Sequence, residues 1–472
     1  MHERDEQLWQ TVRAGRFSVI IDAERYFEVA REAFLQARSR IMLVGWDFDA
    51  RIRLSGEERG EDEPATVGEF LYWLVERTPT LELYLLRWDV GALKSLFRGS
   101  TVFTVMKWMR HPRIHTKLDG HHPTGGSHHQ KIVSIDDCFA FCGGIDMTSE
   151  RWDTREHRDD EPARLTPRGK PYKPWHDATT AMSGPAGAAM AELCRERWLR
   201  ATGKRLAPVS VTGRCWPNGL EPDLSDVDVG VARTIPHMDD QQSIHEIEGL
   251  FLHQIAGARQ SIYIESQYFA SRKIAEAIAA RLQEEDGPEF VIINPTVAEG
   301  WLQPLAMDTA RARLMKALRQ VDRHGRLAMY HPFTAGGEPI YVHAKIMIVD
   351  GTTIRVGSAN INNRSMRLDS ECDVLVEDPD AAVALRNGLI AEHLGLSTEV
   401  VGRAIAEQGL IAAIEALRGD GRSLRPYELP DLGSAAEWLA DNELLDPEGP
   451  DEMFEPLARR GLFRRKGTLR PQ

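Results

Sequence analysis

The chain has 472 residues, 42% hydrophobic and 27% charged, enough to bury a core in two large lobes and too mixed for a collagenous or globally disordered protein. No apolar run approaches the roughly 18 to 20 residues of a spanning helix, and the opening MHERDEQLWQ lacks the basic-then-apolar order of a secretory leader. A net charge of −13 argues against nucleic acid as a partner. Cys138, Cys142, Cys194, Cys215 and Cys372 are odd in number and scattered, which predicts reduced thiols in a cytoplasmic protein, free or peripheral on the inner face of a membrane.

In chain order, an amphipathic helical stretch ends at Ala37-Arg38-Ser39-Arg40-Ile41 and leads into the apolar run Met42-Leu43-Val44-Gly45-Trp46-Asp47-Phe48. A second helix over 67–76 and a strand over 81–86 follow. The same order returns later, with Ala258-Arg259-Gln260-Ser261-Ile262 before Tyr263-Ile264-Glu265-Ser266-Gln267-Tyr268-Phe269, a helix over 274–283 and a strand over 290–293. Strands alternating with helices, twice over, predict an α/β protein of two lobes whose sheets are covered by helices. We place the first lobe at 1–205, a Pro-, Gly- and Asp-rich linker at 206–230, the second lobe at 231–396, and a helical segment with an irregular basic tail at 397–472.

The repeat is sharpest at His129-Gln130-Lys131-Ile132-Val133-Ser134-Ile135-Asp136 and His343-Ala344-Lys345-Ile346-Met347-Ile348-Val349-Asp350. Both read H-x-K-x4-D at an offset of 214. Gly143-Gly144 then falls on Gly357-Ser358, and Asp146 on Asn360. One such motif should arise by chance in roughly 0.03 of chains of this composition, so two with matching downstream residues are not accidental. In a strand, residues i and i+2 share a face, so His129 and Lys131 project together, as do His343 and Lys345. Two imidazoles, two ammonium groups and small-residue corners (Gly144, Ser358) would make a phosphate site if the lobes pack by pseudo-symmetry.

Such a site suits a phosphodiester. One neutral imidazole attacks phosphorus and a protonated one supplies the departing alcohol, so that a phosphohistidine divides one displacement into two. Lys131, Lys345 and Asn360 would stabilise charge on the phosphoryl oxygens, work that metal ions do elsewhere. Each imidazole needs a carboxylate to fix its tautomer. Asp177, in Trp175-His176-Asp177-Ala178-Thr179, and Glu371, in Asp369-Ser370-Glu371-Cys372-Asp373-Val374, are the candidates. Asp136 and Asp350 are expected to be structural, bonding turn backbone. His128 is expected to shape the pocket, and His176 to do likewise or to contact phosphate.

These residues resemble the phospholipase D superfamily. The likeness extends to Gly143-Gly144-Ile145-Asp146 with Arg151-Trp152-Asp153, to Pro174-Trp175-His176-Asp177, to the run 262–269, and to Gly357-Ser358-Ala359-Asn360-Ile361-Asn362-Asn363-Arg364-Ser365 with Glu371. It is nearest the eukaryotic-type enzymes and their bacterial relatives, including the cardiolipin synthase-like branch. The resemblance implies two lobes, each a mixed β-sheet flanked by helices, with one active site at their interface. It also implies a phosphohistidine mechanism with His129 as nucleophile and His343 as general acid, no cofactor, a phospholipid substrate at a membrane surface, and an alcohol or water acceptor. Asp146 standing where the second half has Asn360 makes the half-sites chemically unequal.

Eight of the 16 histidines fall between residues 111 and 176, but their spacings fit no standard ligand set and no metal is expected. Cys138 and Cys142 share a strand parity that suits core. Residues 57–63 read as a solvated loop. The runs Phe103-Thr104-Val105-Met106-Lys107-Trp108-Met109 and Trp301-Leu302-Gln303-Pro304-Leu305 fit either an acyl-chain groove or buried core. The basic carboxyl end, including Arg464, Arg465 and Lys466, fits either a disordered tail or an anionic-lipid contact.

Overall fold

The computed structural model describes residues 6–54, 62–89, 101–209, 215–298 and 303–430. The basic carboxyl end, most of the 57–63 loop and Trp301-Leu302 lie outside the described residues. The first half contributes β1 (Gln10–Ile21), β2 (Arg40–Gly45), β3 (Glu82–Trp88), β4 (Ile114–Asp119), β5 (Ile132–Ile135), β6 (Phe139–Gly143), β7 (Trp175–His176) and β8 (Ala178–Ser183). The second contributes β9 (Leu224–Ile235), β10 (Ile244–His245), β11 (Ser261–Glu265), β12 (Glu289–Ile293), β13 (Leu327–Phe333), β14 (Tyr341–Val342), β15 (Ile346–Val349), β16 (Thr353–Gly357), β17 (Glu371–Glu377) and β18 (Ser423–Pro426). Helices α1 (Ala23–Gln36), α2 (Val67–Arg77), α3 (Thr101–Met109) and α4 (Pro185–Thr202) belong to the first half. They are followed by α5 (Glu246–Gly257), α6 (Arg272–Leu282), α7 (Gln303–Val321), α8 (Pro379–Leu394), α9 (Thr398–Gln408) and α10 (Leu410–Leu417).

Both halves wind the same way. Outward from β1 the strands run β1-β8-β6-β5-β2-β3-β4, and outward from β9 they run β9-β17-β16-β15-β11-β12-β13. The inner strands of each series are antiparallel hairpins, and the outer strands pair in parallel, so each half-sheet is mixed. Strand parity assigns the alternate residues of β2 and β11 to different cores. In β2, Met42 and Val44 face a central core shared by both halves, which also holds Ile132, Ile346, Ile348 and Val356. Ile41 and Leu43 face outward onto α1 and α2, meeting Phe27, Phe34 and Phe70. Ile262 and Ile264 of β11 do the same against Phe251 of α5 and Ile274 of α6. A strand covered on both faces reads as a continuous apolar run, as β2 and β11 do.

The chain punctuates equivalent helices alike. Helix α4 opens with Pro185 and stops at Gly203, whose φ of 71° is open to glycine. Helix α8 opens with Pro379 behind the Asp378 cap, which accepts from the Ala381 amide, and stops at Gly395. Helix α4 follows β8, which begins just after Asp177, and α8 follows β17, which begins at Glu371.

Three expectations are corrected. The linker is shorter than its composition implies, because its last residues enter β9. That strand pairs with β1 on one side (Gln10↔Val231, Phe17↔Leu224) and with β17 on the other, joining the two half-sheets edge to edge. The helical segment expected after 396 is α9 and α10, but it leads on to an unexpected strand, β18, which completes the second half by pairing with β13. Finally, the cysteines are not all thiols. Cys138, in the turn before β6, is disulfide-bonded to Cys215, 77 residues later. Cys142, Cys194 and Cys372 are free and buried. Nothing in the local spacing announces the bond, since it depends on the connection between the halves crossing back over that turn. Cys215→Ser is expected to lower unfolding stability by about 2–4 kcal/mol, read as a lower guanidinium midpoint. An unchanged midpoint would show that the link contributes nothing.

Helix α3 contains both readings of its apolar run. Trp108 is fully buried and donates its indole N–H to the Gly68 carbonyl, whereas Met106 and Met109 are 45% and 67% exposed. Among the described residues, no helix is long and apolar enough to cross a membrane.

Candidate active site

Each H-x-K segment lies just ahead of its strand, in extended backbone that docks on the opposite half. The His129 amide donates to the Ser370 carbonyl (3.0 Å), next to a parallel bridge between His128 and Ser370. Correspondingly, β14 pairs in parallel with β7, and the His343 amide donates to the His176 carbonyl (2.7 Å). Each imidazole is thereby set beside the carboxylate of the other half. His129 Nδ1 lies 3.0 Å from both oxygens of Glu371, and His343 Nδ1 lies 2.6 Å from Asp177 Oδ2. The sequence singles out both carboxylates; the crosswise pairing is what the fold adds. A carboxylate on Nδ1 fixes the proton there and leaves Nε2 as the lone-pair nitrogen.

Both carboxylates are themselves held. The hydroxyls of Ser358 and Ser365 donate to Glu371, and the Ala178 amide donates to Asp177 Oδ1. The amides of Gly144 and Ser358 are already engaged. Their N–H groups are used by the Ala178 carbonyl and by the Cys372 carbonyl with Asp373 Oδ1. Gly144 instead makes room, since a Cβ there would lie 2.2 Å from Asp177 Oδ1. His176 is also corrected. It is fully buried, with Nε2 2.7 Å from Glu265, and it faces away from the motif rings. His128 is bound to Ser370 through Nδ1 and stands 3.2 Å from Asp119 through Nε2.

The lysines are buried beside their histidines. Lys131 donates to the His129 carbonyl (2.9 Å) and lies 3.1 Å from Asp146. Lys345 donates to the His343 carbonyl. Asn360, at the position equivalent to Asp146, is buried and its Oδ1 has no hydrogen-bond partner. Asp136 accepts from the amides of Arg38, Ser39 and Arg40, and Asp350 from those of Arg259, Gln260 and Ser261. Both sit at φ 53° and tie their hairpin turn to the start of a neighbouring strand.

The electrostatics are uneven. Burial and the nearby lysines hold the His129 ring well below the usual imidazole range, and burial with Lys345 does the same to His343. Burial alone would raise Asp177, but His343 and Lys345 bring it down to about 2. Burial pushes Glu371 upward, against the pull of the Ser358 hydroxyl and Lys131. Burial also lowers Lys345 to about 7, with Lys131 adding repulsion and Asp177 opposing.

An aromatic wall beside His343 was only partly legible. Trp175 stacks on Tyr341 with centroids 4.6 Å apart, stands 5.2 Å from the His343 ring, and carries the Arg151 guanidinium 4.0 Å from its ring centre. Tyr341, two residues before His343, could have been found by strand parity. A cavity of about 1000 Å³ lies elsewhere in the first half, lined by Glu24, Arg31, Arg51, Trp152 and Tyr172 and by none of the motif residues.

Residues 33–277 match the family described as phospholipase D, and residues 251–390 match the cardiolipin synthase, PLD-like domain. Phospholipase D alpha 4 of Arabidopsis thaliana is 24% identical over 527 residues, covering 85% of this chain and 67% of the plant enzyme. Phospholipase D1 of Saccharomyces cerevisiae is 24% identical, over 83% of this chain but only 29% of the yeast protein. Phospholipase D2 of Bos taurus is 23% identical, over 78% and 50%. The chain thus spans under two thirds of some of these relatives. The crystal structure of phosphatidylserine synthase from Haemophilus influenzae Rd KW20 superposes over 98% of both chains with a TM-score of 0.57 at 13% identity, a likeness of fold. The match of residues 33–277, more than half of the sequence and including the first H-x-K-x4-D motif, together with the match of 251–390 that includes the second, places this chain in the phospholipase D family.

Proposed function

We propose that the chain is a phospholipase D-type phosphodiesterase that cleaves phospholipids on the phosphatidyl side and passes the phosphatidyl group to water or an alcohol. The observation that carries this reading is the crosswise pair of His–carboxylate dyads, His129–Glu371 and His343–Asp177, flanked by Lys131 and Lys345. In the first step, His129 Nε2 forms a bond to phosphorus as the bond to the head-group oxygen breaks, and His343 gives that oxygen its proton. In the second, the acceptor O–H loses its proton to His343 while its oxygen displaces His129 from phosphorus. Burial, with the lysine charges, keeps both free rings neutral; a phosphodiester anion offsets the lysine charges and favours a proton on His343 in the complex. The assignment of His129 as nucleophile rests on the family resemblance.

The pH dependence follows. The kcat/KM is expected to fall on the acid side as the rings protonate, and to fall again as pH rises through about 7, where unliganded Lys345 loses its charge. The alkaline limb of kcat should lie higher, because bound phosphate favours the ammonium form. A kcat/KM that stays level from pH 6 to 9 would show that the charge of Lys345 does not stabilise the phosphoryl oxygens.

The direct test is to present the full chain with vesicles of phosphatidylcholine, phosphatidylethanolamine or phosphatidylglycerol in dilute ethanol, beside His129→Ala and His343→Ala. Phosphatidylethanol formed by the wild type alone supports transfer through a phosphatidyl-enzyme. The match of the second half to the cardiolipin synthase, PLD-like domain favours a second acceptor, the glycerol of phosphatidylglycerol. Cardiolipin as the main product would make the chain a synthase, and cleavage of DNA but no lipid would leave only the chemistry of the site.

A further inference from the structure

Directly behind Asp177 lies a second cluster that the phosphoryl chemistry does not use. Asp22 follows β1, His157 lies in the loop between β6 and β7, His176 ends β7, and Glu392 lies in the last turn of α8; none of these side chains is more than 3% exposed. Their donor atoms converge. His157 Nε2 is 3.1 Å from Glu392 Oε1 and 3.5 Å from Asp22 Oδ2, and His176 Nδ1 is 3.0 Å from Glu392 Oε1 and 3.2 Å from Asp22 Oδ1. Four donors placed tetrahedrally about a zinc ion at its usual bond lengths would be separated by about 3.3 Å.

Three further observations point inward. The far nitrogen of each ring already rests on a carboxylate, His157 Nδ1 on Asp153 (3.0 Å) and His176 Nε2 on Glu265 (2.7 Å). That outer arrangement fixes the tautomer and aims the inner lone pairs of metal-ligating histidines. Next, His176 Nδ1 and Asp22 Oδ2 are buried without a hydrogen-bond partner. The oxygens nearest this nitrogen are those of Glu392 (3.0 Å) and Asp22 (3.2 Å), the other two members of the cluster. Lastly, the charge does not close. Asp22, Asp153, Glu265 and Glu392 are buried against two arginines, Arg155 on Glu392 and Arg164 on Asp153. The His393 ring also rests on Glu265 (2.8 Å) and Arg422 lies within electrostatic reach of Glu392 and Asp22, so the remaining negative charge is one that imidazolium protons or a dication would neutralise.

We propose that Asp22, His157, His176 and Glu392 hold a divalent first-row metal ion, with zinc the best match to two imidazoles and two carboxylates. Asp22, His157 and His176 come from the first half and Glu392 from the second, so the ion pins the halves together. It also stiffens the active site from behind. Asp22 exchanges backbone and side-chain hydrogen bonds with Asp177, and the His176 carbonyl receives the His343 amide. The ion would not touch the phosphate.

The full chain, purified without chelator or metal-affinity resin, is expected to carry about one zinc per chain by elemental mass spectrometry and to keep it through dialysis against EDTA. Zinc-edge absorption should report nitrogen and oxygen donors at about 2.0–2.1 Å and no sulfur. His157→Gln and Glu392→Gln should each lose the metal, whereas His121→Ala, at an exposed histidine–aspartate pair, should retain it. Metal below about a tenth of an equivalent in the wild type, both as purified and after refolding with zinc, would overturn the proposal and leave the cluster to imidazolium protons. Full occupancy in His157→Gln would overturn it equally. His129→Ala should keep its zinc whatever becomes of turnover, so failure of the catalytic reading and failure of this one are separable.

Discussion

Replacing His129 or His343 by alanine is expected to lower turnover of a natural phospholipid by about 10,000-fold or more, yet the two variants should part company on an activated substrate. A phosphatidyl ester of p-nitrophenol needs no proton for its leaving group. His343→Ala should therefore still release one equivalent of p-nitrophenol in a burst, and a phosphatidyl group should remain on His129, detectable by mass spectrometry after rapid quench at neutral pH. Its hydrolysis would be slow, because His343 is missing as the base that activates water. His129→Ala should give no burst. The opposite pattern would make His343 the nucleophile, and the absence of a burst in both would remove the phosphohistidine from the mechanism. A circular-dichroism melt beside the wild type checks that each variant stays folded, the side chain of His129 being 15% exposed and that of His343 8%.

The carboxylates carry the second large effect. Asp177→Asn and Glu371→Gln should each reduce kcat by about 100- to 10,000-fold, because an amide can present its N–H to Nδ1 and stabilise the wrong tautomer. The signature is which ring responds. With ¹⁵N-labelled histidine, Asp177→Asn should shift the Nδ1 resonance of His343 and leave that of His129 in place, and Glu371→Gln should do the reverse. Combining Asp177→Asn with His343→Ala should cost little more than His343→Ala alone, since the partner it serves is already gone. Shifts confined to the ring of the same half would contradict the crosswise geometry.

Much of this architecture is written in local pattern, and the rest is not, for one physical reason. Helices and strands announce themselves through periods of a few residues, so α2, β3, α6 and β12 fall within two residues of where their apolar spacing places them. Residue type and offset single out both histidines, both lysines and both carboxylates. What joins them has no period. His129 meets Glu371 across 242 positions and His343 meets Asp177 across 166, so the sequence names the participants without saying which pairs with which. The same holds for Cys138 with Cys215 and for β9, whose polar first residues look like a linker and become a strand because β1 offers an edge. His176 misled because its neighbour Asp177 enters the site: adjacent residues in extended chain point to opposite faces, so while Asp177 meets His343, His176 meets Glu265.

The crosswise dyads also constrain how such a molecule could have arisen and what its two copies are free to become. A half-length chain with this winding carries a histidine and a carboxylate that cannot reach each other, so it could build a working centre only by pairing with a second copy of itself, and that centre would be forced to be symmetric. Joining the copies end to end, with β1 and β9 as the seam, lifts the constraint. One half can then keep an aspartate at 146 and 177 while the other installs Asn360 and Glu371, and a reaction that asks one imidazole to attack and the other to protonate has two different places in which to do it.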